Sequence, residues 1–318
     1  MATPSAALRL LIIGYGAFGQ ALALSLHRRG TIAIDVFTRR PALPDKLPAT
    51  VTRFIHHLSE IDLTRYDIAI LALPSGALAP VLDKIPPGGA RTTVLSCVKG
   101  MDAETHAFPT DLIALHLPGH PIGMLSGPTF AGEMMAGHKV WMSLGCADLA
   151  QGRALAARLR GPLLELTATA DLRGLEIVGV AKNIIAIGAG LSEGLGLGEN
   201  TRASYVARGI GELQRLLPLL GGASETVMAP GALGDLILTC TSRQSRNYRF
   251  GQDLGKRLAA APNEDVRALV PLAEGSRSIT AFLAFIRRQG AESPFFEGLA
   301  AAIAHPPSMA ARLLATID

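Results

Sequence analysis

The stretch LRLLIIGYGAFGQALALSLHRRG, Leu8 to Gly30, decides the fold. A six-residue, mostly apolar run, Leu8–Ile13, leads into Gly14-x-Gly16-x-x-Gly19, and a helical stretch follows until Gly30 stops it. The glycine spacing is weak evidence by itself, because 34 of the 318 residues are glycine. Its context strengthens it: strand before, helix after, and a second strand, Thr31–Phe37, at the expected distance. In such a unit Gly14 permits a tight turn, Gly16 lets the backbone approach a pyrophosphate, and Gly19 allows close helix–strand packing. The N–H groups at the helix start then face the phosphates. The expectation is a dinucleotide site.

The second strand bears on which dinucleotide. An acidic residue at its end would hold a ribose 2′-hydroxyl. The sequence reads IDVFTRRP, with Asp35 two residues early and Thr38, Arg39 and Arg40 at the strand end. Arginine there accommodates a 2′-phosphate. NADPH is therefore expected in preference to NADH, unless the arginines form a solvated turn.

The alternation continues outward. Strand candidates follow at Asp67–Leu73, Thr92–Cys97, Gly123–Ser126, Lys139–Leu144 and Leu163–Thr167. Helical stretches lie at Gly19–Arg29, Ser75–Ile85, Pro128–Ala136 and Asp148–Leu159. Short apolar strands alternating with helices predict a parallel sheet covered on both faces. The loop PALPDKLP, Pro41 to Pro48, carries three prolines and predicts irregular structure. After about Asp171 strand-like runs all but vanish. Helices are predicted over Leu172–Gly190, Thr201–Leu220, Gly251–Ala260, Gly275–Arg288 and Pro294–Ala304. The reading is two domains: residues 1–170, a dinucleotide-binding α/β domain, and residues 171–318, all helical.

Composition narrows the partners. The net charge is +4, from 30 basic and 26 acidic residues, without a long basic run or basic–aromatic stripe. That speaks against a nucleic-acid partner and is compatible with an anionic small molecule. Cys97, Cys146 and Cys240 are odd in number and widely spaced, which points to a reducing compartment and away from structural zinc. The eight histidines show no metal-ligand spacing, and His56-His57 reads as a surface pair. No metal is expected. The N-terminal MATPSAALRLLIIGYG lacks a basic leader and a cleavage pattern, and no uninterrupted apolar segment reaches about 18 residues. A soluble, cytoplasmic protein without a membrane span is expected.

Within the helical half, IVGVAKNIIAIGAGL, Ile177 to Leu191, sets Lys182 and Asn183 in an otherwise apolar run. On a helix, Lys182 shares its face with Val178, Gly179, Ile185, Ala186 and Ala189, and the opposite side is no more polar. A helix apolar all round is a buried one. Its lysine must find a distant partner, lose its proton, or snorkel from a helix end.

Other polar residues stand out in Gly-rich or apolar settings: Lys99 in VLSCVKGMD, Ser126 to Glu133 in SGPTFAGE, and Asp235, Ser245, Arg246 and Asn247 in GDLILTCTSRQSRNYRFG. Together with KNIIAIGAGLSEGLGLGEN and ARGIGEL, this ordered set resembles NAD(P)-dependent glycerol-3-phosphate dehydrogenase of the bacterial type, from about residue 8 to about residue 285. The resemblance implies a Rossmann-type domain followed by a helical domain like the C-terminal part of 6-phosphogluconate dehydrogenase. It implies reversible reduction of dihydroxyacetone phosphate to sn-glycerol 3-phosphate with NAD(P)H, supplying glycerophospholipid synthesis, and a homodimer by family habit.

The resemblance also assigns roles. Lys182 matches the catalytic general acid/base. Asp235 is its candidate carboxylate, facing it from a later helix start, or else an ordinary helix N-cap. Ser245, Arg246 and Asn247 offer a hydroxyl, a guanidinium fork and an amide for a phosphate dianion, with Arg246 also approaching the cofactor; the alternative is a polar loop. Lys99, after an apolar strand, would sit where open α/β sheets bind ligands, and it matches a lysine shared by substrate and cofactor. Gly127 and Thr129 match substrate positions, and Asn183 and Thr239 are further candidate polar contacts. Gly14, Gly16, Ala17, Phe18, Gly19, Arg39, Ala131, Leu272 and Glu274 complete the expected cofactor set.

Two departures are visible. Phe18 stands where the family often has Trp, and SPFFEGLAAAI fits the family poorly beyond its Pro–aromatic start, which puts contacts of that tail in doubt. Cys97, close to Lys99, would confer oxidant sensitivity if exposed, or else is a packed strand thiol. Two other functions compete. A related two-domain dehydrogenase of a 2- or 3-hydroxy acid would share a helix-borne lysine but would not need the Ser-Arg-Asn clamp. A non-catalytic NADPH-sensing module could dispense with Lys182, Asp235 and Arg246.

Overall fold

Six short strands run parallel in the computed structural model, side by side in the order Val51–Ile55, Ile32–Phe37, Leu8–Ile13, Ile68–Leu71, Thr93–Ser96 and Ile122–Ser126. The structure describes residues 7–27, 31–39, 51–89, 91–260, 274–304 and 308–316. These fall into two compact units: Met1–Lys99 with Ala107–Leu172, and Gly100–His106 with Arg173–Asp318.

The first unit runs β1 (Leu8–Ile13), α1 (Ala17–Ser25), β2 (Ile32–Phe37), β3 (Val51–Ile55), β4 (Ile68–Leu71), α2 (Leu78–Leu82), β5 (Thr93–Ser96), α3 (Pro109–His116), β6 (Ile122–Ser126), α4 (Ala131–Met135), β7 (Val140–Cys146), α5 (Leu149–Leu159) and β8 (Leu164–Thr169). The chain turns back at β7, which pairs antiparallel with β6, and β8 then pairs parallel with β7. The expectation of a purely parallel sheet is corrected there. An apolar run signals burial on both faces but carries no direction. β3 and α3 were also not anticipated from the sequence.

Alternation along the strands builds two cores. Leu10 and Ile12 of β1 join Leu22, Met134, Leu155 and Leu159 from α1, α4 and α5, and the α1 C-cap Leu26, on one face. Leu11 and Ile13 join Leu78, Leu82, Leu112 and Ile113 from α2 and α3 on the other. The sheet is doubly wound. Its order reverses between β1 and β4, at the crevice where such sheets bind dinucleotides.

The described secondary structure of the second unit is helical: α6 (Leu172–Gly194), α7 (Glu199–Leu219), α8 (Pro230–Thr241), α9 (Arg246–Ala260), α10 (Glu274–Arg288), α11 (Pro294–Ala304) and α12 (Met309–Leu314). α6 is its axis, with every residue from Gly174 to Ser192 buried. By length and composition alone α6 could cross a membrane, and the count of uninterrupted apolar residues missed this. Here its apolar stretch is instead enclosed by protein.

Glycine lets the neighbours close in. A Cβ on Gly190 would fall 2.0 Å from the Tyr248 carbonyl oxygen, and one on Gly251 2.0 Å from that of Ile187. α6 and α9 therefore pack backbone to backbone. Gly188 accommodates the ring of Tyr205 from α7. The small residues of α6 thus serve packing within the helical unit. Phe295 stacks against Tyr205 with centroids 4.9 Å apart, and Phe296 meets Phe282 edge-on at 5.1 Å. The start of the tail that fitted poorly by sequence is core.

Candidate active site

In the first unit, the turn after β1 shows what each glycine is for. Gly14 has φ +105°, and a Cβ there would fall 2.4 Å from the Ala72 carbonyl oxygen. A Cβ on Gly19 would fall 2.0 Å from the oxygen of Gly14. Gly16 meets nothing within 4 Å. It is the N-cap of α1 and supplies no side-chain bond to the helix start. The open space and the positive end of the helix dipole suit a pyrophosphate. Ala17 is exposed at the first turn, while Phe18 is half-buried and, like Ala131 at the start of α4, packs on the sheet core.

Asp35 is not available to a ribose. It is buried in β2, accepting hydrogen bonds from the Tyr66 hydroxyl at 2.8 Å and the Thr52 hydroxyl at 2.8 Å. Burial and this carboxylate both push the Tyr66 phenol above its ordinary range. Arg39, by contrast, is exposed just past the end of β2. Arg40 and the proline-rich loop lie outside the described residues.

Lys99, Gly127 and Thr129 come together. The Lys99 Nζ donates to the Gly127 carbonyl at 3.0 Å, and the Thr129 hydroxyl donates to the same oxygen at 3.2 Å. Gly127 is dictated by packing, since a Cβ would fall 2.8 Å from the Cα of Met142 in β7. Cys97 is a buried thiol pushed up to about 12 by burial, against the opposing charge of Lys99. It is the packed strand thiol of the two readings.

In the second unit, Lys182 has its partner. Its Nζ lies 2.7 Å from Oδ1 of Asp235 and 2.9 Å from the Thr239 hydroxyl, with Lys182 and Asp235 only 5% and 3% exposed. The Thr239 proton is committed to the Asp235 backbone carbonyl at 2.6 Å, so its lone pair faces the ammonium. Asp235 and Thr239, four residues apart, share one face of α8. Asp235 lies inside that helix, whose first residue is Pro230 and whose N-cap is Ala229. Both sequence placements, helix start and N-cap, are corrected; the proline at the first helical position was the missed signal.

Beside this pair, the Asn247 amide donates to Oδ1 of Asn183 at 2.9 Å. Ser245 caps α9, its hydroxyl accepting from the Tyr248 N–H at 3.3 Å. Arg246, the first residue of α9, is exposed. α9 begins five residues earlier than the sequence suggested. Cys240 is buried beneath Lys182, its thiol pushed up to about 12 by burial, with Lys182 opposing and Asp235 reinforcing the shift. Leu272 lies outside the described residues, and Glu274 opens α10.

One cluster was not anticipated from the sequence. Glu193, at the end of α6, accepts from Arg202 at 2.9 Å, Arg243 at 2.8 Å, the Gln252 amide at 2.6 Å and the Tyr248 hydroxyl. Burial works against its charge, but Arg243 and Arg202 outweigh it and hold the carboxyl below the usual glutamate range. Only its place in SEGLGLGEN, at the end of the lysine helix, could have flagged it.

The strand order and glycine turn put the first unit among dinucleotide-binding folds. A buried, carboxylate-paired lysine in a following helical unit makes the class a two-domain, dinucleotide-dependent dehydrogenase. Family models narrow it: the N-terminal model of NAD-dependent glycerol-3-phosphate dehydrogenase matches residues 9–151, and the C-terminal model matches residues 171–311. The chain belongs to the NAD-dependent glycerol-3-phosphate dehydrogenase family. The match runs past residue 285, where the sequence resemblance was expected to end.

Relatives agree. The chain is 36% identical to glycerol-3-phosphate dehydrogenase [NAD(P)+] of Gluconobacter oxydans (strain 621H), covering 91% of this chain and 90% of that one. It is 38% identical to the enzyme of the same name from Paracoccus denitrificans (strain Pd 1222), covering 89% of each. The crystal structure of glycerol-3-phosphate dehydrogenase from Coxiella burnetii superposes with a TM-score of 0.83 at 28% identity, covering 98% of this chain and 99% of that one.

Proposed function

We propose that this chain catalyses the reversible reduction of dihydroxyacetone phosphate to sn-glycerol 3-phosphate with NAD(P)H, supplying glycerophospholipid synthesis, with Lys182 as the proton donor. The observation that carries the mechanism is the buried Lys182–Asp235 pair at 2.7 Å. When bound, NAD(P)H would supply the hydride. As it adds to the ketone carbon, charge develops on the oxygen, which needs a proton and a cation beside it. Asp235 favours the ammonium form of Lys182, the form that has a proton to give. Thr239 fixes the direction of that ammonium by accepting one of its hydrogen bonds.

The phosphate of the substrate is assigned to Ser245, Arg246 and Asn247 at the first turn of α9. There a guanidinium, an amide and the positive helix end converge on one short segment. Asn247 is held by Asn183, which ties that clamp to the helix carrying Lys182. Lys99 and Thr129, sharing the Gly127 carbonyl, are assigned to the substrate side of the first unit, with Lys99 serving the cofactor as well. The glycine turn, Ala17, Phe18 and Ala131 are assigned to the cofactor, together with Arg246, Leu272 and Glu274 on the strength of the family match.

NADPH is the favoured cofactor in this reading. Its support is the exposed Arg39 at the end of β2 and the engagement of Asp35 by Tyr66 and Thr52. The three free thiols, all buried, fit a reducing, cytoplasmic setting. A homodimer rests on the family resemblance.

Substrate class is tested by following NADPH oxidation with dihydroxyacetone phosphate and with a 2-oxo acid, adding inorganic phosphate to each. Dihydroxyacetone phosphate is expected to be the better substrate, with phosphate competing against it. Faster turnover of the oxo acid, indifferent to phosphate, would overturn the assignment in favour of a hydroxy-acid dehydrogenase.

A further inference from the structure

We propose that Glu193 is a positioning residue for the phosphate clamp, an inference that rests on the reading of Ser245–Asn247 given above. The clamp is bracketed by two residues bonded to one carboxylate. Arg243, two residues before Ser245, donates to Glu193 Oε1 at 2.8 Å. Tyr248, directly after Asn247, donates its hydroxyl to Oε2. Gln252, one turn further along α9, donates to Oε1 at 2.6 Å.

The anchor is itself stiff. Glu193 sits on the last turn of α6, where Gly190 and Gly194 bring the α9 backbone so near that Cβ atoms would fall 2.0 and 2.2 Å from the Tyr248 and Gln252 carbonyl oxygens. Arg202 of α7 closes the ring, donating to Glu193 Oε2 at 2.9 Å and to the Tyr248 hydroxyl at 2.8 Å. The carboxylate thus fixes both the turn leading into the clamp and the first turn of the helix that bears it. None of its four partners is a clamp residue, so Glu193 acts through them.

Removing Glu193 separates positioning from simple charge balance. If the carboxylate only offset Arg202 and Arg243, its loss would leave two cations near the site, and phosphate would bind more tightly. If it positions the clamp, phosphate binds more weakly. For Glu193→Ala we expect KM for dihydroxyacetone phosphate and the inhibition constant of inorganic phosphate to rise together, each about tenfold. Turnover at saturation should stay within about threefold of wild type, because the lysine pair is untouched.

Glu193→Gln keeps an acceptor for the tyrosine hydroxyl and should lie between. Tyr248→Phe cuts only the α9 side of the bracket and should shift both constants in the same direction by less; both variants serve if Glu193→Ala does not fold. An unchanged or lower phosphate inhibition constant in these variants, or a fall in turnover with KM unaltered, would overturn the proposal. Failure of phosphate to compete in the wild-type enzyme would overturn the clamp reading itself, and this inference with it.

Discussion

In the proposed preference for NADPH, one side chain inside β2 and one just beyond it play opposite parts. Asp35 has spent both carboxylate oxygens on Tyr66 and Thr52, while Arg39 stands exposed beyond the strand. An arginine at that point pairs with a 2′-phosphate and gives little to a 2′-hydroxyl. Arg39→Asp should therefore raise KM for NADPH by about tenfold or more while leaving KM for NADH nearly unchanged. Steady-state titration of both cofactors checks this, and an equal effect on the two would remove Arg39 from the ribose site. The acidic residue in IDVFTRRP was legible in the sequence as two positions early; that it is engaged by Tyr66, 31 residues away, was not. The same limit hid Glu193, whose partners lie 9, 50, 55 and 59 residues along the chain. Local spacing shows what a residue can do, and only the fold shows which other residue it does it with.

At the scale of elements, the contact of α6 with α9 is where a small residue matters most. In an ordinary helix interior, Gly→Ala stabilises by about 1 kcal/mol, because alanine has the better helix propensity. At Gly251 the added Cβ would sit 2.0 Å from the Ile187 carbonyl oxygen, and backbone cannot yield as a side chain can. Gly251→Ala is expected instead to destabilise by about 2 kcal/mol, as overpacking of a tight interface does. It should also raise KM for the phosphorylated substrate, since α9 carries the proposed clamp. Denaturant unfolding monitored by circular dichroism gives the sign, and a more stable variant would show that the helices are not pressed together there. The apolar run of α6 declared a buried helix from sequence. Its glycines did not declare their neighbours, so their use against α9 and Tyr205 had to be seen.

For the whole molecule, strand–helix alternation followed by helices alone was enough to read a dinucleotide-binding domain and a helical one. That part was legible because apolar periodicity and glycine punctuation are local signals. What escaped had other causes. VTRFI of β3 is short and half polar, PTDLIALH of α3 lies in a stretch between strand signals, and the reversal at β7 is not encoded in an apolar run. The catalytic reading depends on a pair 53 residues apart, Lys182 and Asp235. The sequence offered the lysine's predicament, a cation in an apolar helix, and a carboxylate that could relieve it. The structure sets that carboxylate and Thr239 on one face of α8, both within hydrogen-bond reach of the ammonium.

Lys182→Ala tests whether this lysine delivers the proton. Turnover is measured as NADPH oxidation with saturating dihydroxyacetone phosphate, and NADPH affinity is measured separately by fluorescence titration. A fall in kcat of about a thousandfold or more is expected, with NADPH affinity retained. Turnover near that of the wild-type enzyme would contradict it.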